Sequence, residues 1–207
     1  MEVLGLTGGI ACGKSAVAAL MRARGVPVVD ADAVARDVVA PGTDGLTEVV
    51  KRFGEGVLLP DGSLDRKVLG ARVFGDEEAR LALNAILHPR IAVESALRLT
   101  ALAGEGHGFA LYEAALLVEN GSHKGFTGLI VVTARPEVQL ARLREREGLT
   151  EEEARARVAS QWPLWKKVAE ADWVVDNSGD REALRERVDA LYADLVVRFG
   201  APARGAA

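Results

Sequence analysis

Residues Gly8-Gly9-Ile10-Ala11-Cys12-Gly13-Lys14-Ser15 satisfy G-x-x-x-x-G-K-[ST] at every fixed position, and nothing else in the chain constrains the fold as strongly. Such a loop works only between a buried strand and a helix. Its glycines let the backbone curl so that N–H groups converge, and the start of the helix adds partial positive charge. The flanking sequence meets that demand. Val3-Leu4-Gly5-Leu6-Thr7 is a short apolar run that reads as a buried strand, and Val17, Ala18, Leu20 and Met21 suit a helix ending near Gly25. In this setting Lys14 reaches the β- and γ-phosphates of a nucleotide and the Ser15 hydroxyl can bind Mg²⁺.

Further along, Val26 to Asp30, Phe109 to Tyr112, Gly128 to Thr133 and Trp173 to Asp176 are short apolar runs of the kind found in parallel sheets covered on both faces. Pro27 stands near the start of its run, where a missing N–H does least harm. Ala31 to about Ala103 is mostly helical in pattern, with turns at Pro41-Gly42, Gly54-Glu55-Gly56 and Pro60-Asp61-Gly62. Pro136 to Glu147, Glu151 to Ser160 and Asp180 to Phe199 read as helices. Strands alternating with helices imply an α/β fold with a five-stranded parallel sheet and a helical insert after the second strand.

The chain of 207 residues is 49% hydrophobic, enough for a sizeable core in one domain with lobes. A net charge of −4 argues against a general nucleic-acid binder, which needs a basic surface. The single cysteine, Cys12, allows no intramolecular disulfide framework and fits a reducing, cytoplasmic setting. It reads as a small loop residue rather than a nucleophile, with a thiol pKa open to lowering by the helix start. The N-terminus lacks the basic region of a signal peptide, and no stretch of about 18 apolar residues suggests a membrane span.

The second strand ends in Asp30-Ala31-Asp32. Ligands of parallel sheets sit beyond the carboxyl ends of the strands, so Asp32 is the candidate to accept a proton from an attacking hydroxyl. Asp30 is the competing choice, and a helix cap is the other role open to Asp32. A guanine-reading Asn-Lys-x-Asp run is absent.

The short motifs together resemble the dephospho-CoA kinase family almost end to end. They run from Gly5-Leu6-Thr7-Gly8-Gly9-Ile10 to Ser15 and Asp30-Ala31-Asp32, through Phe53-Gly54, Asp61-Gly62, Leu64-Asp65-Arg66, Leu83-Asn84 and Leu87-His88-Pro89. They continue with Leu116-Leu117-Val118-Glu119, Gln139, Arg142-Leu143, Arg146, Arg157, Gln161, Ala171-Asp172 and Asp176-Asn177.

The resemblance implies a P-loop NTPase-type three-layer fold with a helical CoA-binding insert and a helical lid. Its implied boundaries are a core of 1–31, 104–135 and 170–199, an insert of 32–103, a lid of 136–169 and a flexible tail of 200–207. It implies ATP and dephospho-CoA as substrates with Mg²⁺, no nucleic acid or membrane partner, and a monomer or weak homo-oligomer. By position it makes Asp32, Lys14 and Arg142 catalytic. ATP would meet Gly8, Gly9, Ala11, Cys12, Gly13, Lys14, Ser15, Ala16, Arg142 and Asn177, with Ser15 on the metal and Asn177 where the family reads adenine. The acceptor would meet Thr7, Asp32, Arg66 and His88.

Beside that resemblance stand the residues' own tendencies. Arg142 and Arg146, four apart, share a helix face and can supply charge over a transferring phosphoryl group. His88 precedes Pro89, which favours extended or turn backbone. Arg66 beside Asp65 suits phosphate, or a surface ion pair. Trp162 and Trp165 flank Pro163 and read first as packing residues, with a contact to the pantetheine arm of the acceptor as the other role open to them. Glu113 and Ala115 stand where the family usually has Asp and Pro, and Ala11-Cys12 replaces its usual Gly-Ser.

Overall fold

A computed structural model describes residues 1–203. The chain divides into two compact units, residues 1–29 with 101 onward, and residues 30–100.

The first unit is built on a five-stranded sheet in the order β2-β3-β1-β4-β5. Its strands are β1 (Glu2–Gly8), β2 (Val28–Asp30), β3 (Phe109–Glu113), β4 (Gly128–Thr133) and β5 (Trp173–Asp176). β1 pairs in parallel with β3 and β4, and β4 with β5. Alternation along β4 shows why the run is apolar throughout. Ile130 and Val132 join the core against α1 (Lys14–Arg22) and α9 (Arg181–Phe199), whereas Leu129 and Val131 join a second cluster with Leu117, Val118 and Leu164. α9 buries Leu184, Val188, Leu191 and Leu195, a stripe at helical spacing, and starts at Asp180, whose carboxylate accepts from the Ala183 N–H at 2.9 Å.

After β4 come α6 (Pro136–Glu147), α7 (Glu151–Ala159) and the short α8 (Leu164–Val168). α7 opens with a capping box of Thr150 and Glu153. α8 carries Lys167, fully buried, whose ammonium lies 2.7 Å from Glu119 and donates to the Ala115 carbonyl at 2.8 Å. Beyond α9 the backbone is tied down over its first residues. The Gly108 N–H donates to the Ala201 carbonyl at 3.2 Å, and the Ala203 N–H to His107 Nδ1 at 3.1 Å. The rest of the tail expected at 200–207 lies outside the described residues.

The second unit holds α2 (Ala31–Asp37), α3 (Asp44–Phe53), α4 (Arg66–Val73) and most of α5 (Glu77–Ala103). Its core is Val39, Leu46, Val49, Val57 and Leu69, with Leu83, Ile86 and Leu87 of α5 packed against it. That packing overrides a local preference. His88 and Pro89 lie inside α5, not in the extended or turn backbone expected before a proline. A mid-helix proline costs about 3 kcal/mol, and the apolar face formed by the residues just before it offsets that cost.

Candidate active site

β1 delivers the chain to Gly8 at the carboxyl edge of the sheet, and α1 begins at Lys14. Between them the backbone makes two left-handed steps, Ala11 at φ 58° and Gly13 at φ 87°. Space demands glycine at position 8, against backbone, and a side chain at position 9 would have to displace the end of Gln139. A Cβ on Gly8 would sit 2.5 Å from the Val132 carbonyl oxygen, and one on Gly9 would sit 2.9 Å from Gln139 Nε2.

The outward side of the loop is fully engaged. Ile10 O accepts from Gln139 Nε2 at 2.8 Å, Ala11 O from Arg142 Nη1 at 3.4 Å, and Cys12 O from Asn177 Nδ2 at 2.8 Å. The Ile10 N–H donates to Gln161 Oε1 at 2.8 Å, and the Cys12 N–H closes a turn on Gly9 O at 3.1 Å. Among the described residues, the N–H groups of Ala11, Gly13, Lys14 and Ser15 find no protein acceptor. α1 has no side-chain cap and no acid in its first turn. Unsatisfied N–H groups at a helix head, with no carboxylate in the first turn, suit an anion.

Lys14 stands at this head with its ammonium 2.6 Å from Glu113 Oε1. Glu113 is buried at the end of β3, and its other oxygen lies 3.7 Å from Arg22. Thr7, fully buried, donates its hydroxyl to Ala115 O at 3.0 Å. Cys12 is fully buried, and burial pushes its thiol pKa up. The lowering expected from the helix start is outweighed.

Asn177 continues β5 by one residue, its N–H donating to Thr133 O at 2.8 Å, and its amide NH₂ is committed to the loop. Arg142 and Arg146 diverge in use. Arg142 turns to the loop, whereas Arg146 pairs with the neighbouring Glu147 and holds that carboxyl below its usual range. Trp162 and Trp165 are not the packing residues expected. They are 46% and 67% exposed, with the Lys166 ammonium 5.1 and 5.6 Å from their ring centres.

The other expected residues belong to the second unit. Asp30 is the cap of α2, its Oδ1 accepting from the Asp32 N–H at 2.8 Å and the Ala33 N–H at 3.3 Å. Asp32 is exposed, and among the described residues its carboxylate makes no hydrogen bond or ion pair. Asp65 likewise caps α4, accepting from the Lys67 and Val68 N–H groups, so its carboxylate is spent on the helix, and among the described residues Arg66 is exposed without an ion pair. His88 is exposed on α5.

Sequence reasoning gave no role to Gln139 and Gln161, nor to the Lys167–Glu119 pair. Both glutamines stand among the residues that carry the family resemblance, and Gln139 lies three residues before Arg142, on one helix face.

The loop geometry makes a direct prediction for Gly13. Alanine there would hold a left-handed backbone and drive its Cβ into the Asn177 amide. Gly13→Ala is expected to lose about 2 kcal/mol of stability in denaturant unfolding. A change within about 0.5 kcal/mol, the ordinary range of surface substitutions, would contradict the geometry.

A family model described as dephospho-CoA kinase matches residues 2–183. A dephospho-CoA kinase of Anaeromyxobacter dehalogenans is 52% identical over 94% of this chain and 92% of that protein. A crystal structure from Thermus thermophilus is 35% identical with a TM-score of 0.79, covering 94% of this chain and 97% of the other. That of a dephospho-CoA kinase from Campylobacter jejuni is 26% identical with a TM-score of 0.66 over the same shares.

Proposed function

The chain belongs to the dephospho-CoA kinase family, and on that premise we propose that it transfers the γ-phosphoryl group of ATP to the 3′-hydroxyl of the dephospho-CoA ribose, giving coenzyme A and ADP, the last step of coenzyme A synthesis. The observation that carries the reading is the phosphate loop. Four N–H groups without protein acceptors and the Lys14 ammonium meet at the head of α1, a fitting seat for a polyphosphate.

Phosphoryl transfer asks a protein mainly for positioning and charge. Lys14 bridges the β- and γ-phosphate oxygens as charge develops there, with Glu113 holding its ammonium between turnovers. Arg142, already turned to the loop, adds a second positive charge. Asp32 accepts the proton of the attacking hydroxyl. Its carboxylate is free for this because Asp30 supplies the cap. Arg66 and His88 meet the acceptor, and Thr7 orders the end of β1 on the acceptor's side. Gly8, Gly9, Ala11, Cys12, Gly13, Ser15 and Ala16 line the triphosphate, and Asn177 borders the adenine through its backbone and remaining amide oxygen.

The donors present suit Mg²⁺. No cluster of three or more His, Cys, Asp or Glu forms a protein cage among the described residues, and magnesium is commonly held by one or two protein oxygens with several waters. The Ser15 hydroxyl would hold it, and the ion would supply charge neutralisation on the phosphates. We place the reaction in the cytoplasm, in a monomer or weak homo-oligomer. No helix among the described residues is long and apolar enough to cross a membrane.

The test is ADP release with a panel of acceptors. With Mg-ATP, dephospho-CoA is expected to stimulate ADP formation far above nucleoside monophosphates or shikimate. Preference for one of those acceptors would overturn the assignment.

A further inference from the structure

Gln139 and Gln161 take hold of one residue of the phosphate loop from two sides. Gln139, on α6 and buried, donates to Ile10 O, and Gln161, just beyond α7, accepts from the Ile10 N–H, each at 2.8 Å. These bonds have a fixed sense, because a backbone carbonyl can only accept and an N–H can only donate. The first orients the peptide plane between Ile10 and Ala11. Its carbonyl points to Gln139, so its N–H, that of Ala11, points the other way, and that N–H has no protein acceptor. The second orients the plane between Gly9 and Ile10. Both planes are thereby set by side chains from the helical segment 136–169, one from near each of its ends.

We propose that Gln139 and Gln161 are positioning residues for ATP: Gln139 sets the peptide plane that aims the Ala11 N–H at the phosphates, Gln161 holds the plane before it by taking the Ile10 N–H, and together they couple phosphate binding to the seating of α6 and the segment after α7. The proposal rests on the kinase reading above. Neither glutamine touches the nucleotide in this account. Both act through Ile10.

The sense of the two bonds allows a test that a merely structural role would not pass. Gln→Glu is nearly isosteric and adds the same charge at both sites. At position 161 the new carboxylate still accepts from the Ile10 N–H. At position 139 it faces the Ile10 carbonyl with no proton to donate, leaving two acceptors opposed in a buried place. Titration calorimetry with Mg-ATP alone, without acceptor, should give Gln139→Glu at pH 8 a Kd at least about tenfold weaker than Gln161→Glu. The gap should narrow toward pH 5.5, because the carboxyl introduced at position 139 regains a donor once protonated, and burial beside a carbonyl raises its pKa. ATP's own titration is common to both variants and cancels in the ratio. Should Gln139→Glu not fold, Gln139→Met keeps the volume, lacks the donor and carries no added charge. It should still bind ATP more weakly than Gln161→Glu at pH 8, against any charge effect. Equal affinities at pH 8, or a ratio unmoved by pH, would overturn the proposal alone. Failure of the unaltered chain to bind ATP would overturn the kinase reading, and this proposal with it.

Discussion

Lys14→Met should lower turnover by at least about a thousandfold, the upper range for deleting one preorganised charge donor to a transition state. It should also destabilise the fold, which is unusual for a residue facing a ligand. The reason is Glu113, buried with its Oε1 2.6 Å from the Lys14 ammonium and Arg22 at 3.7 Å on its other oxygen. Removing the ammonium strands a buried carboxylate, a loss of about 3–5 kcal/mol when one partner of such a pair is deleted. The two effects can be separated. Glu113→Gln in the same chain removes the stranded charge, so Lys14→Met/Glu113→Gln should recover most of the stability and none of the turnover. Denaturant unfolding and steady-state ADP release read these independently. A double variant that regained activity would show that Lys14 acts only by neutralising Glu113.

The second large effect is expected at Asp32. Asp32→Asn should lower kcat by at least about a hundredfold, the scale of a lost general base, while ATP affinity stays within several-fold. Asp30→Asn is the internal comparison. Asn caps a helix about as well as Asp, so the bonds from the Asp32 and Ala33 N–H groups survive and turnover should fall far less. Equal losses at the two positions would show that the strand end matters as a unit, not through a base at Asp32. Near-normal turnover of Asp32→Asn would remove the base assignment outright.

Much of the fold was legible because its signals are local. β4 and β5 have the limits read from their apolar runs, and the octapeptide between β1 and α1 carries its own spacing rule. Local signals misled where tertiary contacts dominate. Pro89 argued for a break at His88, but Leu83, Ile86 and Leu87 have a core to fill and the helix runs through. Trp162 and Trp165 suggested packing by size, yet both lie on the surface beside Lys166. Placement at the strand end favoured Asp32 as the base over Asp30, but left open which of the two caps the helix. Backbone hydrogen bonds gave the cap to Asp30. The grip on Ile10 was invisible in principle, because its partners lie 129 and 151 residues away.

The identity of the acceptor is tested most directly by the position of the new phosphate. Purified protein, Mg-ATP and dephospho-CoA should yield a product heavier by one phosphoryl group. Phosphorus NMR should show a monoester that a 3′-specific nucleotidase removes to regenerate dephospho-CoA. An unchanged dephospho-CoA pool, or a phosphate resistant to that nucleotidase, would contradict the account.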